Sequence, residues 1–182
     1  MKRIVILASG SGTLARAIFA AEKDYEVAAL ITDRPEAKVI QIAQEFSIKV
    51  EVHELTGDRN AWNHSLFELV AGYKPDLVVS AGFMRILAPE FVKTFKVINS
   101  HPALLPLFPG AHAVRDALAA GANETGTTIH WVDEGVDTGS VIAQVSVEIT
   151  PTDTEETLHE RIKIIERGLI VATIPQVLAE LK

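Results

Sequence analysis

The first half of the chain alternates between short aliphatic runs and segments of helical composition. Residues 2–8 read KRIVILA, and residues 76–81 read DLVVSA. Nearly continuous aliphatic runs of this length are typical of strands that are buried on both faces, as in a parallel sheet. We therefore predict a buried strand at each of these two places.

The segments around these two runs extend the same alternation. They are predicted as a helix over 14–22, a strand over 26–32, a helix over 37–46, a more exposed strand over 48–53, a helix from the capping residue Asp58 to about 72, and a strand over 97–99. Repeated strand–helix alternation predicts an α/β fold. We expect an open, mostly parallel, Rossmann-like sheet with helices on both faces.

The second half of the chain follows a different pattern. Residues 102–110 contain three prolines and a glycine, which excludes regular structure there. A helix is predicted over 113–120, and two strands flanking a turn at 135–139 form an antiparallel C-terminal pair. Thr154 is predicted to cap a long helix over 155–181, in which Pro175 introduces a kink or a break. We expect residues 1–182 to form a single domain.

Composition narrows the classes of protein. The chain is 48% hydrophobic, carries a formal net charge of -7 and contains no cysteine, which excludes disulfides and thiolate chemistry. It has neither an apolar run of about 20 residues, as a membrane span requires, nor a Lys/Arg cluster, as nucleic-acid binding usually requires. We expect a cytoplasmic protein without a signal peptide, a nucleic-acid partner or a membrane partner.

A glycine loop joins the first predicted strand to the first predicted helix. In Ser9 to Thr13, Gly10 and Gly12 let backbone amides converge on an anion at the helix N-terminus, and Thr13 adds a hydroxyl. The loop lacks the lysine of a P-loop, and Ala15 stands where a dinucleotide-binding fingerprint has its third glycine. The loop alone leaves two interpretations open, a phosphate site and a tight turn without a ligand.

Asn99 and His101 follow a predicted buried strand, at the sheet edge where open α/β folds bind ligands. Side chains two residues apart on an extended chain point to the same face. A carboxamide and an imidazole on one face can stabilise an oxyanion together. The alternative, that both residues only cap the following turn, stays open on this pattern alone.

The predicted turn after the first C-terminal strand is acidic. Its carboxylates, Asp133, Glu134 and Asp137, can bind calcium, orient a histidine or face water, and the spacing lacks the order of an EF-hand. The six histidines show no zinc-binding spacing. His130 alternates with its neighbours in a predicted strand, so its side chain faces one side of the sheet. We expect no metal site.

The order of these motifs resembles the phosphoribosylglycinamide formyltransferase family. The resemblance runs from Arg3 to about Leu169 and is carried by SGSGT, SAGFMRIL, NSHPALLPLFPG, DEGVDTG and LHERIKIIER. Asn-x-His-Pro with a following proline-rich run and a later Asp is typical of enzymes that use 10-formyltetrahydrofolate. The glycine loop favours the branch whose acceptor is a phosphorylated ribosyl amine.

The resemblance implies that Asn99, His101 and Asp137 are the catalytic trio. Asn99 donates to the oxyanion that forms when the acceptor amine attacks the formyl carbon. Protonated His101 donates a second hydrogen bond, while Asp137 orients the imidazole and favours its charged form. Proton transfer to the leaving folate nitrogen passes through a water near Asp137.

The resemblance also assigns two groups of binding residues. For the ribonucleotide they are Gly12, Thr13, Leu14 and Glu166, and for the folate they are Arg59, Met84, Arg85, Ile86, Leu87 and Asn99. Many members have Ser-Asn where this chain has Thr13-Leu14, so the phosphate would depend on backbone amides. Without the resemblance, Glu166 and Arg59 are ordinary solvated residues and Ile86 and Leu87 are core. The implied partners are small molecules, for a monomer or homodimer.

Other readings use part of the same pattern. Methionyl-tRNA formyltransferase, sugar-nucleotide formyltransferases and formyltetrahydrofolate deformylase share the formyl-folate chemistry. The glycine loop and the net charge disfavour the methionyl-tRNA enzyme, which usually carries a further C-terminal domain. The glycine loop also disfavours the sugar-nucleotide enzymes, and the deformylase carries a further N-terminal domain. A non-catalytic nucleotide-binding module would use the glycine loop with Asp33, which lies about 20 residues further on, as its ribose-binding acid. That reading leaves the proline-rich segment after His101 without a role.

Overall fold

The structure is a computed structural model that describes residues 1–21 and 24–181. In this part of the chain the strands are β1 (Lys2–Leu7), β2 (Tyr25–Thr32), β3 (Val50–Val52), β4 (Leu77–Ser80), β5 (Val97–His101), β6 (Glu124–Trp131) and β7 (Val141–Glu148). They form one seven-stranded sheet in the order β3-β2-β1-β4-β5-β6-β7. Strands β1 to β5 are parallel, and β5, β6 and β7 pair antiparallel. The predicted fold class is confirmed.

The helices of the described residues are α1 (Thr13–Ala20), α2 (Val39–Glu45), α3 (Arg59–Tyr73), α4 (Pro89–Thr94), α5 (Ala113–Ala119) and α6 (Glu155–Glu180). All were predicted except α4, which begins with a proline in its first turn. The predicted end of the first helix, at residue 22, lies outside the described residues. Pro175 lies inside α6, which continues past it as one helix.

Two helix N-termini are capped by the residues that the sequence indicates. Asp58 accepts a hydrogen bond from the amide of Ala61 at 2.8 Å, and Thr154 accepts one from the amide of Thr157 at 3.2 Å. Each bond satisfies an amide that has no partner within its own helix. The second cap fixes the start of α6, the helix that carries Glu166.

The central strand β1 has a hydrophobic core on each of its faces. Ile4 and Ile6 pack into the cluster that includes α1, α2 and α6, whereas Val5 and Leu7 pack into the cluster that includes α3 and α4. Successive side chains of a strand point to opposite faces. The aliphatic run of β1 therefore has the composition that a strand between two helix layers requires.

The strand order changes direction at β1. Strands β2 and β3 are added on one side of β1, and β4 to β7 are added on the other. At such a point the connections leave to opposite faces and open a crevice at the carboxyl ends of the strands. The loops after β1 and β4 meet there, and the amide of Ser9 donates to the carbonyl of Gly82 at 3.1 Å. This crevice holds the cavity described below. None of the helices in residues 1–21 and 24–181 has the length and apolar character that crossing a membrane requires.

Candidate active site

A cavity of about 670 Å³ opens at the carboxyl edge of the sheet. Its walls are the glycine loop (residues 10–14), the segment 82–87 after β4, which we call the lip, the end of β5, the acidic turn and one face of α6. The sequence-predicted residues that line it are Gly12, Thr13, Leu14, Met84, Arg85, Ile86, Leu87, Asn99, His101, Asp137 and Glu166. Arg59 is the one predicted site residue that the lining does not include. The structure thus brings together segments that are far apart in sequence.

Asn99 and His101 both belong to β5, which extends two residues beyond its predicted end. Because they are two residues apart on a strand, their side chains lie on one face, as expected. His101 is only 4% exposed. Its Nε2 lies 2.8 Å from the carbonyl oxygen of Phe108, and its Nδ1 lies 3.3 Å from Asp137 Oδ2. Both ring nitrogens face acceptor oxygens, so the doubly protonated ring is the form that can donate to both.

Asp137 lies in the turn between β6 and β7 and faces two histidines. Its Oδ2 also accepts a hydrogen bond from the amide of Gly110 at 2.8 Å, and its Oδ1 lies 3.5 Å from His130 Nε2. The residue has a φ of 54°, in the left-handed region that aspartate tolerates better than most residues. The turn therefore holds the carboxylate against the end of β5 by contacts on both of its oxygens.

The surroundings of Asp137 keep its carboxyl group ionised. Burial raises the pKa of Asp137. The hydrogen bonds with His130 and the Gly110 amide and the positive charge of His101 lower it by more than burial raises it, so the pKa lies below its usual value. The carboxylate is therefore charged throughout the neutral range. A stable negative charge beside an imidazole is the arrangement that orients a general acid or an electrostatic stabiliser.

His130 is a cavity residue to which the sequence analysis gave no role. It lies on β6 directly opposite Asn99 in the antiparallel ladder, and its Nε2 is 3.3 Å from Asn99 Nδ2. Its Nδ1 is 2.9 Å from the carbonyl oxygen of Trp131, which can only accept, so this nitrogen carries a proton. The strand alternation indicated that His130 faces one side of the sheet, but only the register between β5 and β6 shows that this is the side of Asn99.

The glycine loop brings the start of α1 to the cavity. Gly12 has a φ of 74°, and a Cβ there would lie 2.6 Å from Val39 Cγ2, so a side chain at this position requires the loop to move. The following amides belong to the first turn of α1, where backbone N–H groups have no partner within the helix. Leu14 turns its side chain into the core and is 7% exposed. Any polar contact of Leu14 with a ligand is therefore made by its backbone.

The lip forms an apolar edge of the cavity. Met84 and Ile86 are 57% and 65% exposed, whereas Leu87 packs into the core cluster shared with α3 and α4. Arg59, at the start of α3, donates from Nη2 to the carbonyl oxygen of Ile86 at 2.6 Å. This bond stabilises the lip from a residue that does not line the cavity. The expected contact with a folate tail remains a prediction.

Asp33 does not fit the nucleotide-binding reading of the chain. Its side chain has no exposed surface, and it accepts hydrogen bonds from Ser9 Oγ at 2.5 Å and from Arg85 Nε at 2.6 Å. A ribose-binding acid must present its carboxylate to the ligand. Asp33 instead binds two segments of the protein. Its position about 20 residues after the glycine loop therefore reflects a structural role and does not indicate a nucleotide-binding module.

Glu166 projects from α6 towards β5, and its Oε1 accepts a hydrogen bond from Ser100 Oγ at 2.5 Å. Burial raises the pKa of Glu166 above its usual value, and the hydrogen bond from Ser100 and the charges of Lys163 and Arg167 offset only part of that effect. Lys163 also lines the cavity, with its Nζ 2.8 Å from Glu160 Oε1. Neither Lys163 nor its neighbour His159 was singled out in the sequence.

The raised pKa of Glu166 gives a prediction for stability. A carboxyl group whose pKa is higher in the folded state favours folding when protonated, and this contribution is lost as the pH rises through the unfolded value towards the folded one. Glu166→Gln removes the buried charge, so we expect its melting temperature to exceed that of the parent by a few degrees at neutral pH. Thermal denaturation followed by circular dichroism at several pH values measures the difference.

The gain in Glu166→Gln should vanish below about pH 4, where the parent carboxyl group is also neutral. The matched control is Glu180→Gln, which removes an exposed carboxylate from the same helix and should leave the melting temperature nearly unchanged. A melting temperature of Glu166→Gln below that of the parent at neutral pH would contradict the assignment of a destabilising buried charge.

The residues described by the structure include no group of three or more His, Asp or Glu side chains arranged to hold a metal ion. The polar groups of the residues that line the cavity include a carboxamide, imidazoles, carboxylates, hydroxyls, an ammonium group, a guanidinium group and backbone amides. Such groups stabilise an oxyanion, hold an anion and move protons. They suit the transfer of an acyl group between two bound substrates.

The polar cavity lies at the carboxyl edge of a mostly parallel α/β sheet, which is where enzymes of this fold class bind their substrates. The protein-family model described as formyl transferase matches residues 2–174, which is most of the chain. The chain belongs to the formyl transferase family, and the resemblance stated from the sequence is confirmed.

Relatives narrow the family to one branch. A phosphoribosylglycinamide formyltransferase of Mycobacterium tuberculosis is 50% identical over 179 residues, which cover 94% of this chain and 83% of that protein. One of Bacillus subtilis is 38% identical over 186 residues, which cover 98% of this chain and 95% of that protein. The solved phosphoribosylglycinamide formyltransferase of Bacillus halodurans superposes with a TM-score of 0.93 at 40% identity, covering 100% of this chain and 97% of that one.

Proposed function

We propose that the chain transfers the formyl group of 10-formyltetrahydrofolate to the amine of N1-(5-phospho-D-ribosyl)glycinamide. The products are the N-formyl ribonucleotide and tetrahydrofolate, and the reaction is a step of de novo purine biosynthesis. The observation that carries the proposal is that the glycine loop, Asn99, His101 and Asp137 all line the same cavity. The names of the relatives support the same reaction.

The glycine loop and α6 form the proposed ribonucleotide side of the cavity. Backbone amides of Thr13 and Leu14 lie at the N-terminus of α1, where unpaired N–H groups and the helix dipole favour an anion such as a phosphate. Glu166 lies across the cavity, where its carboxyl group can accept from a ribose hydroxyl or from the glycinamide amine. In the proposed complex the acceptor amine lies between the loop and the end of β5.

The lip forms the proposed folate side. The exposed side chains of Met84 and Ile86 give an apolar surface, and Arg85 and Leu87, which also line the cavity, can offer backbone groups to the edge of a flat ring. A pteridine ring has this combination of apolar faces and polar edges. In this arrangement the formyl group of the cosubstrate points towards Asn99.

The reaction proceeds by attack of the acceptor amine on the formyl carbon. A carbon–nitrogen bond forms, and the carbonyl oxygen becomes an oxyanion, to which Asn99 donates a hydrogen bond and whose charge the His101 imidazolium offsets. Collapse of the intermediate breaks the bond to the folate nitrogen. The proton lost by the amine reaches that nitrogen through Asp137 and a water molecule, so both products leave neutral at the reacting atoms.

His101 must rearrange to donate directly to the oxyanion. Its Nε2 is bonded to the carbonyl oxygen of Phe108 within the proline-rich segment 102–110. If Nε2 leaves the Phe108 carbonyl, its N–H group can donate to the oxyanion. Catalytic hydrogen bonds commonly tighten only once substrate is bound. The proline-rich segment therefore has a role in this function, since its Phe108 carbonyl orients the His101 ring.

The test is formyl transfer by the purified protein. We expect tetrahydrofolate release from 10-formyltetrahydrofolate, followed by absorbance, only when glycinamide ribonucleotide is present. Release without an acceptor would identify a hydrolase, and release that requires a sugar nucleotide or methionyl-tRNA would identify another branch of the family. The assay thereby separates the proposed reaction from each alternative that shares the formyl-folate chemistry.

Several properties are proposed together with this reaction. The partners are two small molecules, without nucleic acid or membrane, and the protein acts in the cytoplasm as a monomer or homodimer without a metal. Residues 1–182 form one domain, in keeping with a sheet whose strands come from both halves of the chain. Gel filtration and metal analysis of the purified protein test the oligomeric state and the metal content.

A further inference from the structure

Asp33 is buried where two walls of the cavity meet. It directly follows β2, and its side chain has no exposed surface. Its Oδ1 accepts from Ser9 Oγ, and its Oδ2 accepts from Arg85 Nε. Ser9 directly precedes the glycine loop and Arg85 belongs to the lip, so one carboxylate connects the base of the loop to the lip.

Ser9 makes a second connection between the same segments. Its Oγ donates to Asp33 and also accepts from the amide of Met84 at 2.9 Å, while its own amide donates to the carbonyl of Gly82. The hydroxyl is buried, with Ser9 1% exposed. The glycine loop and the lip are therefore joined by a hydrogen-bond network whose common acceptor is Asp33.

Asp33 and Ser9 lie behind the cavity surface. The lining includes the glycine loop and the whole lip, but neither of these two residues. Any effect of Asp33 on a ligand must therefore pass through the segments that it holds. Arg85 is the link, because it is a lining residue of the cavity and its guanidinium group binds Asp33.

We propose that Asp33 is a positioning residue that fixes the glycine loop and the lip relative to each other, and so sets the affinity for both substrates together. The inference rests on the proposed function, which places the phosphate on the loop and the pteridine on the lip. Ligands that span two walls bind most tightly when the walls are held in the bound geometry beforehand.

The carboxylate is the group that this network requires. It accepts on both oxygens, and a charge-assisted bond to an arginine is stronger than a neutral one. A carboxamide of the same shape has one acceptor oxygen and one donor NH₂ group. Asp33→Asn therefore keeps the volume of the side chain but removes the charge from the bond to Arg85, and its NH₂ group can meet Ser9 Oγ only by reversing the direction of that hydrogen bond.

The test compares Michaelis constants with turnover. For Asp33→Asn we expect the KM values of glycinamide ribonucleotide and 10-formyltetrahydrofolate each to rise about tenfold, with kcat at saturation changed less than about threefold. Titration calorimetry with tetrahydrofolate alone should show the same weakening without catalysis. Partial unfolding would instead lower the maximal rate and leave both KM values unchanged.

Asp153→Asn is the matched control. Asp153 is also a part-buried carboxylate bonded to an arginine, Arg161, but it lies outside the cavity lining, at the start of α6. We expect this variant to lose thermal stability and to keep the KM values of the parent. Asp33→Asn and Asp153→Asn thus separate the loss of a buried ion pair from the loss of positioning.

Ser9→Ala provides a second variant that leaves the charge in place. It removes the hydroxyl that joins Asp33 to the Met84 amide, and we expect the same joint rise of both KM values. Parent-like KM values in Ser9→Ala and Asp33→Asn, or a rise in only one of the two constants, would overturn the inference. Failure of the proposed function is distinguishable, because the parent protein itself would then transfer no formyl group.

Discussion

Replacing His101 with alanine is expected to lower kcat by about 10²–10³, the usual effect of removing one group that stabilises an oxyanion. The imidazole of His101 borders the cavity and contacts Asp137, at a distance of 3.3 Å between Nδ1 and Oδ2. Its charge acts only when the oxyanion forms. The KM values should therefore change much less than kcat, and steady-state kinetics with both substrates measures the two effects separately.

The His101 experiment needs controls for folding, because this side chain is 4% exposed and its removal leaves a void. His64→Ala removes an exposed histidine of α3 that is not among the residues lining the cavity, and it should retain parent activity. Circular dichroism and melting temperature identify any loss of fold in His101→Ala. A folded His101→Ala variant with parent kcat would remove His101 from the mechanism.

Replacing Asp137 with asparagine is expected to lower kcat by about 10²–10⁴, the range that general acid–base groups contribute. Its carboxylate contacts His101 and His130 and accepts from the Gly110 amide, so the substitution removes the charge that both imidazoles face. A carboxamide cannot receive the proton of the attacking amine. Measurement of kcat against pH tests both consequences.

The sign of the pH dependence follows from the lowered pKa of Asp137. Hydrogen bonds and the histidine charges outweigh the effect of burial, so the carboxylate loses its charge only when the pH falls below the usual carboxyl range. We therefore expect no loss of parent activity from Asp137 between neutral pH and that range. The pKa of Asp137 is lower in the folded than in the unfolded protein, so its charge stabilises the fold at pH values above the unfolded pKa. This contribution is lost as the pH falls, and acid should therefore destabilise the parent more than Asp137→Asn.

Glu134→Gln is the matched control for Asp137→Asn. It removes a carboxylate from the same turn, where Glu134 is exposed and pairs with Lys93 at 2.8 Å. We expect its kcat to equal that of the parent within about twofold, since a surface pair contributes little. Equal losses in both variants would attribute the effect to the net charge of the turn and contradict a specific role of Asp137.

The main features of the fold follow from local sequence patterns. The aliphatic run of β1 alternates its side chains between two cores, and the caps at Asp58 and Thr154 lie where the pattern of polar residues indicates. These features depend on residues within a few positions of each other. The short helix α4 was missed because its six residues, which begin with a proline, make fewer than two turns and give too little periodicity to recognise.

The candidate site was only partly predictable, because its contacts join distant segments. Asn99 and His101 follow an aliphatic strand, and this position predicts the ligand-binding edge of the sheet. The roles of His130 and Asp33 depend instead on partners 31 and 52 residues away, Asn99 and Arg85. A spacing rule assigned Asp33 to a ribose, whereas its burial between Ser9 and Arg85 gives it a structural role.

The central claim is that one cavity brings the formyl donor and the ribonucleotide amine together. The most direct measurement is nuclear magnetic resonance of the products after incubation with 10-formyltetrahydrofolate that carries carbon-13 in its formyl group. We expect the labelled carbon to appear as a formamide on the glycinamide nitrogen, at a rate that falls with His101→Ala. Labelled formate as the only product, with the ribonucleotide unchanged, would rule out formyl transfer to the ribonucleotide.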